Sequence, residues 1–272
     1  MTDGYLEKNR RLIDRELKKR LPGGAAKPRL LHKAMRYGVL GGGKRIRPML
    51  VLESSKACGG NLKDALPVAC AVEIIHSYSL IHDDLPSMDD ALTRRGRPSC
   101  HVKYGEATAI LAGDALLSLA FYLISGRGGN PNMGRVAREI SGAIGSFGMA
   151  GGQSMDLEMK NGGRPDLRAL MRVNGKKTGA LIAAAARSGG MIAGAGRDKI
   201  EALGKYGEDI GLAFQITDDI LDKDGYADIF GVSGSRDESR KLAERAKARL
   251  RIFGKKADGL RAIADYTLNR KR

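Results

Sequence analysis

Apolar residues recur along this chain at helical spacing almost throughout, and period-two alternation is nearly absent, so the pattern predicts an all-α protein. Leu6, Ile13, Leu17 and Leu21 mark a first amphipathic helix that stops at Pro22-Gly23-Gly24. Further helical runs are predicted over 30–40, 49–57, 107–124, 140–149, 167–173, 181–187, 200–222 and 242–253. Leu66, Ala69, Cys70, Val72, Ile74, Ile75, Leu80 and Ile81 predict one more, largely apolar helix that delivers Asp83 and Asp84 to its last turn before Pro86 breaks it. The Gly-rich pieces around 126–134 and 159–166 read as loops. No composition break or Ser/Pro-rich linker divides the 272 residues, so one domain over 1–272 is expected.

Two stretches contradict the apolar pattern of their own helices. Asp83, Asp84, Asp89 and Asp90 crowd one helix end, where the backbone already carries partial negative charge, an unfavourable placement without a cation. Hard carboxylate oxygens suit Mg²⁺, which takes its remaining ligands from water and substrate phosphates. Arg94 and Arg95, just beyond, suit a phosphate. Near the far end, Phe214-Gln215-Ile216-Thr217-Asp218-Asp219-Ile220-Leu221-Asp222 repeats the chemistry, with Asp218 and Asp222 at i and i+4 on one face. Either cluster alone reads equally well as a solvated helix face. The two together favour metal ions and a diphosphate.

Charge agrees with that. Lys and Arg number 47 against 31 acids, a net charge of +16, which favours anionic ligands: nucleic acid, membrane headgroups or diphosphates. With five Phe, eight Tyr, no Trp and no interleaving of aromatic with basic residues, a base-stacking platform is missing, so no nucleic-acid partner is expected. The most membrane-like run, Ala107 to Ile124, is interrupted by Gly113 and Asp114 and is expected to be a buried core helix, with no membrane span. Met1 to Arg20 is too polar for a signal peptide, and Cys58, Cys70 and Cys100 form no CxxC pair, which points to a reducing, cytoplasmic setting.

Three further segments carry candidate chemistry. Gly41-Gly42-Gly43-Lys44-Arg45-Ile46-Arg47-Pro48 brings three cations to a helix start, an anion site or simply a solvated basic loop; it is not a P-loop, since GxxxxGK[ST] is absent. Lys177 and Thr178 interrupt a small, apolar stretch and suggest contact with an anion. Gln153 and Asp156 read as either site residues or groups that cap helix ends or hydrogen-bond between helices. His76 lies seven residues before Asp83 on the same helix face.

GGKRIRP at 42–48, HSYSLIHDDLPSMDD at 76–90, RRGRP at 94–98, GGQSMDL at 151–157, KTGALI at 177–182 and FQITDDILD at 214–222 together resemble the trans-polyprenyl diphosphate synthase family, most of all its bacterial farnesyl diphosphate synthases. The resemblance runs from the first helix to the C-terminus. It implies the isoprenoid synthase fold, helices around a deep cavity with two facing Asp-rich motifs, and a homodimer. It implies a short-chain prenyltransferase in which Mg²⁺, three ions with Mn²⁺ as a substitute, draws off charge as an allylic diphosphate ionises and isopentenyl diphosphate attacks. Asp83, Asp84, Asp89, Asp218, Asp219 and Asp222 would hold metal. Asp83, Asp84, Asp218 and Lys177 would be catalytic. Arg94, Lys177, Thr178 and Gln215 would hold the allylic diphosphate, and Lys44, Arg47, His76 and Arg95 isopentenyl diphosphate, with Arg45 and Arg270, Lys271 and Arg272 as weaker candidates.

One departure stands out. The family carries a longer loop after the second Asp motif, with a further Gly-Lys and Gly-Ser-Asp, whereas here Asp222-Lys223-Asp224-Gly225-Tyr226 leads almost directly into the next helix. Lys223 is the candidate to replace the missing lysine. An EF-hand reading of Asp-Lys-Asp-Gly fails, because Ile220 and Gly231 would fall at ligand positions. Product length is expected to depend on Tyr78 and Ser79, one turn below Asp83 beside the path of a growing tail. Tyr78 alone also reads, less well, as a core aromatic with a satisfied hydroxyl; the resemblance makes it a stop at fifteen carbons. Geranyl or geranylgeranyl diphosphate synthesis, a terpene cyclase-like relative and a regulatory subunit are the alternatives, the last two disfavoured by the intact GGKRIRP and RRG.

Overall fold

The structure is a computed structural model that describes residues 2–126, 129–161, 167–222 and 225–269. It is 81% helical. In chain order the helices are α1 (Thr2–Arg20), α2 (Arg29–Leu40), α3 (Ile46–Ala57), α4 (Leu62–Asp83), α5 (Cys100–Tyr104), α6 (Glu106–Ile124), α7 (Met133–Ile144), α8 (Met149–Asn161), α9 (Leu167–Asn174), α10 (Ala180–Ile192), α11 (Arg197–Asp222), α12 (Tyr226–Arg249) and α13 (Asp258–Asn269). A π-turn, Gly175–Gly179, joins α9 to α10, and a 3₁₀ segment, Leu250–Ala257, joins α12 to α13. Among the described residues the one sheet is a hairpin of β1 (Thr93–Arg94) and β2 (Arg97–Pro98), with Thr93 opposite Pro98 and Arg94 opposite Arg97. The expected all-α class holds.

The chain divides into two compact units, Asp3–Met49 with Leu66–Gly129, and Leu50–Ala65 with Asn130–Arg272. In the first, the middle of α4 is apolar on nearly every side and is enclosed: Val68, Ala69, Cys70, Ala71, Val72, Ile74 and Ile75 are wholly buried. Its core is completed by Ile13 and Leu17 of α1, Ala34 and Val39 of α2, and Ala109, Ala112 and Leu116 of α6. In the second, α10 is built from small residues, and α11 approaches it so closely that a Cβ at Gly207 would lie 2.6 Å from Ala183 Cα. Further along α11, Ala213 and Ile216 pack with Leu170, Tyr226 and Leu242 in one cluster.

Three expectations are corrected. The helix expected over 140–149 is two: α7 ends at Ile144, the chain turns through Gly145 to Gly148, and α8 starts at Met149. The helix expected over 242–253 ends at Arg249, and Gly254, at φ 56°, turns the chain into α13. The run 107–124, expected to be a buried core helix, is buried along one stripe only. Ala109, Ala112, Leu116, Ala120 and Ile124 face inward, while Ile110, Leu111 and Tyr122 are exposed on the other side. The outward side also carries Asp114 and Ser118, and among the described residues only the inward stripe is covered. By length and composition, Leu62–Asp83 and Glu106–Ile124 are both long and apolar enough to cross a membrane, and the first is mostly buried within the protein.

Candidate functional site

The last turn of α4 separates the two carboxylates that adjoin in sequence, because successive helix residues stand about 100° apart. Asp84 falls on the side of Ser77 and Ile81 and is buried, at 2% exposure. There Arg94 grips it with Nε at 2.9 Å and with Nη2, and the carboxylate in turn holds the guanidinium pKa above its ordinary value. Asp83 falls on the His76 side and is half-buried. Beyond it the chain folds back over the helix end: the amide of Asp89 donates to the carbonyl of Asp83 at 2.9 Å and the amide of Ala91 to that of Asp84 at 3.1 Å. The Pro86 break thereby satisfies the last carbonyls of the helix and places Asp89, exposed, beside its end.

The hairpin positions the arginines. Arg95 and Gly96 form its turn, both at positive φ, 54° and 70°, the two-residue turn whose twist suits a tight hairpin. That conformation sends the Arg95 guanidinium back onto the Gly42 carbonyl, so RRG meets GGK. Next to it, Arg47 Nη1 lies 3.4 Å from His76 Nε2. An arginine only donates, so Nε2 accepts and the imidazole is neutral with its proton on Nδ1. Burial pushes the His76 pKa well below the usual range, and the field of Arg47, Arg95, Arg45 and Arg94 adds to it. Lys44, Arg47, His76 and Arg95, expected to bind one diphosphate, all lie in the first unit.

Arg45, a weaker candidate for the same role, is turned inward. Its Nε donates to Asp14 at 2.8 Å, Nη1 to Glu73 at 2.5 Å and Nη2 to the Val39 carbonyl at 2.9 Å, and it is 3% exposed. Its burial works against the charge, but Glu73 and Asp14 more than offset that and its pKa is raised. Arg45 is therefore a structural residue. The signal for it was Glu73, a lone acid inside the apolar run of α4, which needs a buried cation.

Tyr78 is half-buried and meets the His82 ring edge-on, with centroids 5.8 Å apart and planes at 75°. Ser79 Oγ donates to the His76 carbonyl at 3.1 Å.

In the second unit, α11 ends at Asp222 with Asp218 half-buried and Asp222 exposed. Asp219 is 5% exposed, and its oxygens are taken by protein donors: Gln215 Nε2 at 2.8 Å and the Tyr226 amide at 3.0 Å. Gln215 in turn accepts from Thr178 Oγ1 at 3.2 Å. Lys177 Nζ pairs with Asp156 at 2.6 Å, and Lys176 Nζ reaches the Phe147 carbonyl at 2.9 Å. Lys177 and Thr178 thus belong to the π-turn between α9 and α10, a widened turn of a kind frequent at functional sites. Gln153 is buried, and among the described residues neither of its amide atoms has a protein partner, so neither a cap nor an interhelix bond accounts for it. Lys223, Arg270, Lys271 and Arg272 lie outside the described residues.

Among the described residues no three His, Cys, Asp or Glu groups converge into a ready-made metal cage. Mg²⁺ needs no such cage, since it is held by one or two carboxylates plus substrate phosphates. Asp83 and Asp89 stand at the end of α4 in the first unit, and Asp218 and Asp222 at the end of α11 in the second. Asp84 and Asp219, expected among the metal ligands, have their oxygens occupied by Arg94 and by Gln215 and Tyr226, respectively.

The family model for polyprenyl synthetase matches residues 28–241. A farnesyl diphosphate synthase of Escherichia coli (strain K12) is 42% identical over 271 residues, 88% of this chain and 89% of that protein. A geranylgeranyl diphosphate synthase of Cyanophora paradoxa is 39% identical over 98% of this chain and 95% of its own length. Among solved structures, an FPP/GFPP synthase from Zymomonas mobilis superposes with a TM-score of 0.92 at 37% identity, covering 98% of both chains. The carboxylate-tipped helices, the arginine hairpin and the lysine-bearing π-turn are thus found in a chain that belongs to the polyprenyl synthetase family.

Proposed function

We propose that this protein, a short-chain trans-prenyltransferase by family, condenses isopentenyl diphosphate with dimethylallyl or geranyl diphosphate to give farnesyl diphosphate. One observation carries the reading most: each of two helices ends in a cluster of carboxylates and has cationic side chains in the same unit, an arrangement suited to metal ions and a diphosphate. Mg²⁺, when bound, offsets the diphosphate charge that grows as the allylic C–O bond ionises. Asp83, Asp89, Asp218 and Asp222 are its proposed ligands. In the second unit Thr178 and Gln215, hydrogen-bonded to each other, and the neighbouring Lys177 are the proposed holders of the allylic diphosphate; in the first, Arg94, whose position Asp84 fixes, is a proposed diphosphate-binding cation. Lys44, Arg47, Arg95 and the neutral His76, with its Nδ1 proton, hold isopentenyl diphosphate. The proton lost on condensation passes to the departing diphosphate.

The fifteen-carbon product rests on Tyr78, whose ring is the bulky group on the α4 segment below Asp83. The test is incubation with labelled isopentenyl diphosphate and dimethylallyl, geranyl or farnesyl diphosphate, followed by product-length analysis. Fifteen-carbon product from the first two primers and little from the third supports the reading. Efficient use of farnesyl diphosphate makes the protein a longer-chain synthase, and no incorporation overturns elongation.

A homodimer is part of the proposal. The exposed apolar side of α6, with Leu111 at 57% and Tyr122 at 70% exposure, is the surface a second copy would cover. Sedimentation of the wild type and of Leu111→Glu tests it: a dimer that the substitution dissociates supports this face, and a wild-type monomer refutes it. The free thiols of Cys58, Cys70 and Cys100 accord with a cytoplasmic location.

A further inference from the structure

We infer that His82 is a specificity-positioning residue: wedged into a notch at Gly113, it fixes the Tyr78 ring and thereby the length of the product. The inference rests on the reading that Tyr78 stops the growing tail, and it adds what holds Tyr78 in place.

The geometry is confined to α4 and α6. His82 Nε2 lies 3.1 Å from the Ile110 carbonyl, so that nitrogen carries a proton and donates. The ring can reach this carbonyl only because residue 113 is glycine. A Cβ there would overlap Nε2, Cδ2 and Cε1 of the imidazole. Gly113 has helical φ, so backbone conformation does not require glycine; the imidazole does. On its other side His82 presents its ring to Tyr78, one turn earlier on α4, edge-on at 5.8 Å between centroids. Among the described residues no protein group accepts a hydrogen bond from the Tyr78 hydroxyl. The ring contact with His82 is therefore the specific contact that orients Tyr78, and His82 is itself held by a hydrogen bond and a steric notch. A tail that presses on Tyr78 must displace an imidazole that has no room to retreat into α6.

The interruption of the apolar run 107–124 by Gly113 then has a purpose: it makes α6 a socket for a residue of α4. His82 does not need to touch substrate for this, so its effect should show in the product ratio rather than in the binding of either diphosphate.

The experiment compares the wild type, His82→Ala, His82→Gln, Tyr78→Ala and the double variant Tyr78→Ala/His82→Ala, each given geranyl diphosphate and labelled isopentenyl diphosphate. The readout is the ratio of twenty-carbon and longer products to fifteen-carbon product, which does not depend on the fraction of active enzyme. His82→Gln keeps a donor for the Ile110 carbonyl and removes only the ring, so it serves if the alanine variant folds poorly. The ratio is expected to rise at least several-fold in both His82 variants, and His82→Ala should add nothing to Tyr78→Ala. If Tyr78→Ala lengthens the product and neither His82 variant does, the positioning role is refuted and the Tyr78 stop stands. A His82 effect that persists in full on top of Tyr78→Ala also refutes it, because His82 would then act on the tail directly. If Tyr78→Ala changes nothing, the stop itself is refuted, and the inference with it.

Discussion

Asp219 ties the end of α11 to the start of α12: one carboxylate oxygen accepts from the Tyr226 amide at 3.0 Å and the other from Gln215 Nε2 at 2.8 Å. Gly225, at φ 53°, passes so close that a Cβ would overlap the Asp219 carboxylate. Asp219 thus serves as a side-chain cap at the start of α12. Asp219→Ala leaves a buried amide and the Gln215 side chain without an acceptor, a loss of about 1–3 kcal/mol. It should lower the melting temperature clearly more than Asp218→Ala, with Gln215 and Thr178 disturbed as a secondary effect. Thermal melts of the two variants side by side check the order; the reverse order refutes the capping role.

For the metal, Asp83→Ala and Asp218→Ala should each reduce turnover by about 10²–10³-fold, the scale on which removal of one transition-state electrostatic contact acts. Folding should be little affected, since Asp83 and Asp218 are only half-buried. Chelation with EDTA should stop product formation, and Mg²⁺ or Mn²⁺ should restore it. Circular dichroism and turnover measured together decide the matter, and near-normal turnover in either variant contradicts the ligand assignment.

Much of this was legible in the sequence because it depends on local pattern. α4 reads as helix and as core since its middle is apolar on nearly every side, and Pro86 marks its end. What was not legible depends on where the chain returns. The inward turn of Arg45 requires Asp14 and Glu73 from two other helices. The different environments of Asp83 and Asp84 follow from one helix step, but which of them Arg94 takes depends on the hairpin turn at Arg95 and Gly96. The break between Ile144 and Met149 was hidden because apolar residues continue through it while Gly145 to Gly148 turn the backbone.

His76 gives a pH dependence with a definite sign. Its folded-state pKa lies below its unfolded value, first because of burial and then because of nearby arginines, so the unfolded chain binds the proton more readily. The stability contributed by the neutral ring is complete above about pH 6.5, the ordinary histidine value, and is lost as pH falls below it toward the depressed folded value. The substrate-free protein should therefore lose melting temperature between about pH 7 and about pH 5 more steeply than His76→Gln. Parallel slopes for the two proteins contradict a buried neutral His76.

On the isopentenyl diphosphate side, Lys44→Ala and Arg47→Ala should raise the KM for that substrate by about 10-fold or more, the scale of a lost charge-assisted hydrogen bond. The KM for the allylic primer should change far less. Steady-state kinetics with each substrate varied in turn make the comparison, and equal losses for both undo the assignment of these cations to one substrate.

The last prediction concerns Lys177, whose ammonium is already paired with Asp156 at 2.6 Å on the π-turn. A carboxylate so placed does two things: it holds the flexible four-carbon stem in one direction, and it partly neutralises the charge offered to a diphosphate. Removing the ammonium loses both orientation and charge, whereas Asp156→Asn keeps a hydrogen-bond acceptor and the full lysine charge, and loses only part of the anchor. Lys177→Ala should therefore lower kcat/KM for the allylic primer by about 10²–10³-fold, and Asp156→Asn by roughly 10-fold at most. Neither should much alter the KM for isopentenyl diphosphate. Were Asp156→Asn as damaging as Lys177→Ala, Asp156 would have to act on the substrate or its metal itself, and the view of it as the holder of Lys177 would be wrong.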